Sequence, residues 1–321
     1  MNVSALLDHL AQHTVNGLFK GSIYALVALG YTLVYGVLRL INFAHSEVFM
    51  VGTFAVLGVW SMLGATDNPS FGMIVLLLVV GVVVAAAASA ATALIVERVA
   101  YRPLRKKNAP SLVFLITAIG VSLVLMEIFG FVLAKFFGLP FGRLIVGMPN
   151  VVVSQPVIRL PGLEVTNKHL IVFVAAIVMM IGLDQFINRT RYGRGVRAVA
   201  QNPDTAALMG VNQDRVIMLI FVLGGIMAGV AALLWSTAFA VTKFDIGFLI
   251  GLKAFTAAVL GGIGNLRGAL LGGLLLGVVE AYSSSLFSSN WEDVTAFVVL
   301  VVVLMFRPTG LLGESLGRAR A

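Results

Sequence analysis

Ionisable side chains inside apolar stretches are the first candidates for chemistry, because each costs about 3 kcal/mol or more at the centre of a hydrocarbon layer. Five places qualify. Asn42, His45 and Glu47 cluster in the segment Ile41-Asn42-Phe43-Ala44-His45-Ser46-Glu47. Glu127, Lys253 and Glu280 each stand within a long apolar run, and Asp184 lies near the end of another. Such groups can contact a polar solute crossing the membrane, or they can pair with one another and lock helices together. Lys253 with either Glu127 or Glu280 would make a lock of that kind. The Asn42–Glu47 cluster marks either a broken helix, tolerated where protein or water satisfies its backbone, or an interfacial group that caps the next span.

Enzymatic chemistry finds no foothold. The chain has four histidines, His9, His13, His45 and His169. His9 and His13 have helical i,i+4 spacing but lack the acid between them that a zinc-protease helix needs. There is no Gly-rich loop ending in Lys-Ser/Thr, so the chain is not expected to hydrolyse nucleotide by itself. It contains no cysteine, which excludes disulfides, thiolate nucleophiles and thiolate metal sites. No catalytic residue, metal site or cofactor is expected.

The elements that must carry these groups follow from composition. Of 321 residues 60% are hydrophobic and 11% charged, against about 25% charged in a soluble domain. Uncharged or nearly uncharged runs fall at 21–38, 48–66, 68–96, 108–126, 170–183, 216–242, 246–266, 268–291 and 294–306. At about 20 residues per crossing, the chain reads as an all-α integral membrane bundle of 8–10 transmembrane helices forming one domain over 1–321. The remaining segments are too short for a folded catalytic domain of roughly 100 residues. The first 16 residues have no basic run ahead of the apolar one, so they do not read as a cleaved signal peptide.

The net charge of +8 points to membrane orientation and not to nucleic acid, because the basic residues crowd short loops. Arg98, Arg102, Arg105, Lys106 and Lys107 share one loop; Arg189, Arg191, Arg194, Arg197 and Arg215 share another; Arg307, Arg318 and Arg320 are in the tail. The positive-inside bias places all three in the cytoplasm. With nine spans the N-terminus is then external. The long segment 138–168 is also external, and its four prolines and two β-branched runs, 151–153 and 157–158, predict turns with a small hairpin.

The loop 189–215 contains a local helix signal. Asn202 is an N-cap residue, Pro203 suits the first helical position, and Asp204 suits the positive helix end. Residues 205–209 favour helix, and Gly210 stands where a left-handed residue ends one. Asn212 can cap the following span. A short, separately capped helix, including Ala206 and Ala207, therefore sits on the cytoplasmic face, a feature that a bare connector does not require. Further on, Gly264, Gly268 and Gly272, with Gly273 and Gly277, repeat at the four-residue spacing that lets helices pack closely in lipid.

Together these blocks resemble the membrane permease subunits of branched-chain amino acid ABC importers. The similarity runs through Asn16-Gly17-Leu18, Gly21-Ser22-Ile23-Tyr24-Ala25-Leu26, Gly30-Tyr31-Thr32-Leu33-Val34-Tyr35-Gly36, and Ile41-Asn42-Phe43-Ala44-His45 with Glu47 and Gly52. It continues through Glu-Arg-Val-Ala-Tyr-Arg-Pro at 97–103, residues 117–122 and 191–210, the block 253–268, and Phe306-Arg307-Pro308-Thr309-Gly310. The resemblance implies a non-catalytic subunit in the bacterial inner membrane. It also implies a second related permease, two cytoplasmic ATPases that use the ATP, and a periplasmic amino-acid-binding protein. Asn202, Pro203, Asp204, Ala206, Ala207 and Gly210 would then form the coupling helix held by the ATPase. Urea, short-chain amide and broader amino acid permeases share a similar template. An ion-coupled transporter using Glu127, Lys253 or Glu280, and a channel, are the readings from other classes.

Overall fold

A computed structural model describes residues 9–136 and 145–313. Asp8, Pro140, Arg318 and Arg320 lie outside the described residues. Seven helical segments are long and apolar enough to cross a membrane: Leu10–Leu38 (α1), Phe71–Lys106, Ser111–Phe131, Asn167–Arg189 (α5), Gln213–Phe239 (α8), Leu266–Leu286 (α10) and Ser289–Phe306. Two further apolar helices, His45–Met62 (α2) and Ile246–Gly261 (α9), bring the described total to nine, one for each apolar run in the sequence. The second segment is one continuous rod: α3 (Phe71–Val96), a π-helical turn at Glu97–Tyr101, and a last turn Arg102–Lys106. At 36 residues it is about 54 Å long, well beyond a hydrocarbon core of about 30 Å. The third segment belongs to α4 (Ser111–Phe136), and the last contains α11 (Glu292–Phe306).

The chain forms two compact units. The first comprises Met1–Thr32, Ser154–Asp184 and Leu252–Ala321. In it α1 begins at Leu10, eleven residues before the uncharged run, and the charge at Lys20 within it is met by Glu292 at 3.0 Å. α1 and α10 approach backbone to backbone. A β-carbon added at Gly273 would lie 2.6 Å from Ala25 Cα, one at Gly17 2.6 Å from Val278 Cα, and one at Gly277 2.6 Å from Gly21 Cα. Gly268 and Gly272 meet Gly261 of α9 in the same way. Gly264 departs from the expected helix-packing role. It precedes α10 in the turn from α9 and has φ +99°, a conformation glycine adopts without a Cβ clash. The expected hairpin is present as β2 (Pro156–Leu160) paired antiparallel with β3 (Leu163–Thr166) around Gly162.

The second unit comprises Leu33–Val153 and Gln185–Gly251. Its core is the trio α2, α3 and α8, again joined through small residues. A β-carbon at Gly52 would lie 2.7 Å from Ala232 Cβ, and one at Gly225 2.6 Å from Ala90 Cα. Ser89 Oγ donates to the Val48 carbonyl at 2.9 Å, and the fully buried Trp60 donates to the Leu77 carbonyl at 3.1 Å. A short ladder joins β1 (Val146–Gly147) to β4 (Val241–Thr242). The β-branched run 151–153 is not the second arm of the hairpin: Val151 and Val152 are buried outside any strand. Outward-facing Phe71, Val79, Val83, Leu112, Ile116 and Leu123 leave α3 and α4 with the apolar exteriors that a lipid environment favours.

Candidate functional site

The Asn42–Glu47 block is the break between α1 and α2. Arg39 has φ +55°, and the chain resumes helix at His45. Asn42, His45 and Glu47 are all buried. Tyr101, at the end of the π-helical turn, donates to Asn42 Oδ1 at 3.0 Å, and the Asn42 carbonyl accepts the His45 N–H at 3.1 Å. Glu47 is not the cap of α2, since no side chain caps that helix. Its Oε1 accepts from Ser122 of α4 at 3.1 Å and from Ser46 at 3.3 Å. Gly247 covers it so closely that a β-carbon there would lie 2.8 Å from Glu47 Oε2. The three residues are buried in one short polar break, Asn42 held by Tyr101 and Glu47 by Ser122 and Ser46.

Lys253 forms the expected lock, and Glu280 is the carboxylate that takes it. The ammonium lies 3.2 Å from Glu280 and 2.7 Å from Asp293, a partner that sequence reasoning did not assign. Tyr24 donates to the other Glu280 oxygen at 3.0 Å, and its ring lies 5.8 Å below the Lys253 nitrogen. Glu127 does not join the cluster; it lies exposed on α4. Asp184, at the end of its apolar run, meets Arg267 at 3.7 Å.

The loop 190–212 folds as two helices where one was expected. α6 (Arg191–Gln201) starts at Thr190, whose hydroxyl accepts the Gly193 N–H at 3.0 Å, and it turns Val196 and Val199 inward. α7 (Pro203–Leu208) starts at Asn202, whose Oδ1 accepts the Thr205 N–H at 3.0 Å, with Pro203 in the first turn and Asp204 at the positive end. Its other end is closed by the paired bonds Val211 N–H to the Ala206 carbonyl (3.0 Å) and Gly210 N–H to the Ala207 carbonyl (2.9 Å), with Gly210 at φ +85°. Both ends of this six-residue helix are therefore satisfied locally. Ala206 is its one buried residue, and Ala207 is exposed. Leu208 and Met209 are 88% and 81% exposed, an apolar tip missed from sequence because helix propensity does not say which side faces out.

A charge network stands beside this loop. Asp214, in the first turn of α8, binds Arg105 at 2.6 Å and Arg102 at 2.9 Å. Arg105 also reaches the buried Glu97 at 3.2 Å. Gln213 donates to the Pro203 carbonyl at 2.7 Å, and Asn212 Oδ1 accepts the Arg215 N–H at 3.0 Å. Counting the arginines only as orientation signals conceals this arrangement. A carboxylate two residues after a capping Asn was the available sign.

Among the described residues no group of three His, Asp or Glu side chains could hold a metal ion. Residues 13–304 match the family described as branched-chain amino acid transport system / permease component. The chain is 42% identical over 309 residues to the high-affinity branched-chain amino acid transport system permease protein BraD of Pseudomonas aeruginosa, covering 95% of this chain and 96% of that one. It is 40% identical over 312 residues, with the same coverages, to the corresponding protein LivH of Escherichia coli K12. A probable branched-chain amino acid permease of Methanocaldococcus jannaschii is 25% identical over 97% of this chain and 96% of its own length. With apolar helices suited to repeated membrane crossing and a match that runs through both compact units, the chain belongs to the permease family of branched-chain amino acid transport systems.

Proposed function

We propose that this chain is the solute-conducting membrane subunit of an ATP-driven importer for leucine, isoleucine and valine. It works beside a second permease, two cytoplasmic ATPases and a periplasmic binding protein. It has no catalytic activity and holds no cofactor, ATP being bound and hydrolysed by its partners. The substrate assignment is supported by the names of relatives at 40–42% identity over nearly the full length. The mode of drive is supported by α7: it is locally capped at both ends and presents Leu208 and Met209 outward. A short helix with closed ends moves as a body when pushed. In this reading Asn202, Pro203, Asp204, Ala206, Ala207 and Gly210 shape the piece that enters an ATPase groove. The inner membrane is its site, with α7 and the C-terminus cytoplasmic and the N-terminus external.

The test is uptake of labelled leucine into vesicles containing this chain, its partner permease, the ATPases and the binding protein. ATP-dependent uptake that competes with isoleucine and valine is the expected result. Competition by urea, short-chain amides or other amino acids alone would reassign the solute. Uptake by this chain alone under a proton or sodium gradient would overturn the ATPase drive.

A further inference from the structure

α7 is connected to the Asn42 joint inside the second unit by polar contacts joined through two stretches of main chain, Gln213–Asp214 and the π-helical turn Glu97–Tyr101. Gln213 holds the Pro203 carbonyl of α7 (2.7 Å), and its neighbour Asp214 holds Arg105 (2.6 Å) and Arg102 (2.9 Å) at the foot of the long α3 rod. Arg105 holds Glu97 (3.2 Å), the first residue of the π-helical turn, and Tyr101, the last, donates to Asn42 Oδ1 (3.0 Å). The Asn42 carbonyl starts α2 through the His45 N–H (3.1 Å). Two features set this series apart from an ordinary surface network. Its two Asp214 pairs are partly exposed, of a kind that contributes little to stability, typically below about 1 kcal/mol each. It also brackets a π-helical turn, a wide turn that costs helix geometry and is found mostly at functional sites.

We propose that Asp214 is a positioning residue that transmits displacement of α7 through the π-helical turn to the break between α1 and α2. A pull on α8 moves Arg102 and Arg105 along the rod axis. The π-helical turn takes up that shift by changing its winding, and Tyr101 moves with it. The Asn42 joint, buried and with little slack, follows. Long-range coupling needs such an element with two arrangements, and Glu97–Tyr101 is the one interruption of the 36-residue rod. This inference rests on the proposed ATPase drive through α7.

The test uses the whole transporter with two substitutions at opposite ends of the series, Asp214→Asn and Tyr101→Phe. Each should leave assembly and ATP hydrolysis in place while lowering solute moved per ATP about tenfold, within the usual range of coupling energies. The double variant should be no worse than either single one, and Asp214→Glu should recover most of the loss. This chain has no native cysteine, so it takes a single spin label at Ile41→Cys when labelled before assembly with its partners. Its spectrum should change with nucleotide in the otherwise unaltered complex and stay fixed in the Asp214→Asn complex. Additive losses, or a label response that survives Asp214→Asn, overturns the relay. Loss of nucleotide response in the unaltered complex would instead overturn the drive through α7, which separates the two failures.

Discussion

Lys253 and Asp214 are mirror images in charge. One is a cation held by two carboxylates, the other a carboxylate held by two cations. Their surroundings differ. The Lys253 ammonium and Glu280 are buried in the first unit, with Tyr24 completing the carboxylate. In the second unit Asp214, Arg102 and Arg105 remain partly exposed, and only Glu97 is fully buried. Breaking a buried pair leaves an uncompensated charge in a poor solvent, whereas water replaces most of what a half-exposed pair loses. The first cluster therefore holds helices in place. The second can let go and re-form, as a moving part must.

The sharpest way to break this contrast is Lys253→Ala, which strands Glu280. We expect a loss of about 3–5 kcal/mol, read as a large fall in the unfolding midpoint in detergent. Lys253→Met with Glu280→Leu should recover most of that loss, because an apolar pair of similar volume avoids the desolvation cost. Next comes Gly210→Pro: φ +85° is closed to proline. We expect normal membrane insertion and loss of ATP-driven uptake, with Ala207→Asp giving the same phenotype at the exposed face of α7. Asn202→Ala should cost about 1 kcal/mol, read as faster amide exchange in residues 204–208. Smallest in stability is Asp214→Asn, expected to lose under about 1 kcal/mol in the same unfolding measurement despite its expected effect on coupling. A midpoint shift as large as that of Lys253→Ala would make the two clusters equivalent and remove the comparison.

The legible parts of the fold were those written in local pattern. Nine apolar runs predict nine apolar helices, and the string from Asn202 to Gly210 predicts the ends of α7 because each cap bonds within three to five residues of itself. Partners distant in the chain were not legible. Lys20 ended the first apolar run on paper, yet α1 continues through it, and Glu292, 272 positions away, meets its charge. Asp293 gave no sign that it would meet Lys253 across 40 residues. Glu127 and Glu280 looked alike in sequence, both being single acids in apolar runs; only packing turned one outward and the other in. Spacing also misled at Gly264, where the four-residue repeat extends one step beyond the start of α10.

The glycine seam between α1 and α10 carries a mechanical consequence. Where Gly17, Gly21, Gly273 and Gly277 meet main chain to main chain, no interlocking knobs need to change rotamer for one rod to glide past the other. Such a surface behaves like a plain bearing. Its travel is limited by three pegs on α1: the Tyr24–Glu280 and Thr14–Tyr282 bonds tie it to α10, and the Lys20–Glu292 ion pair ties it to α11, so all three must be withdrawn to free the slide.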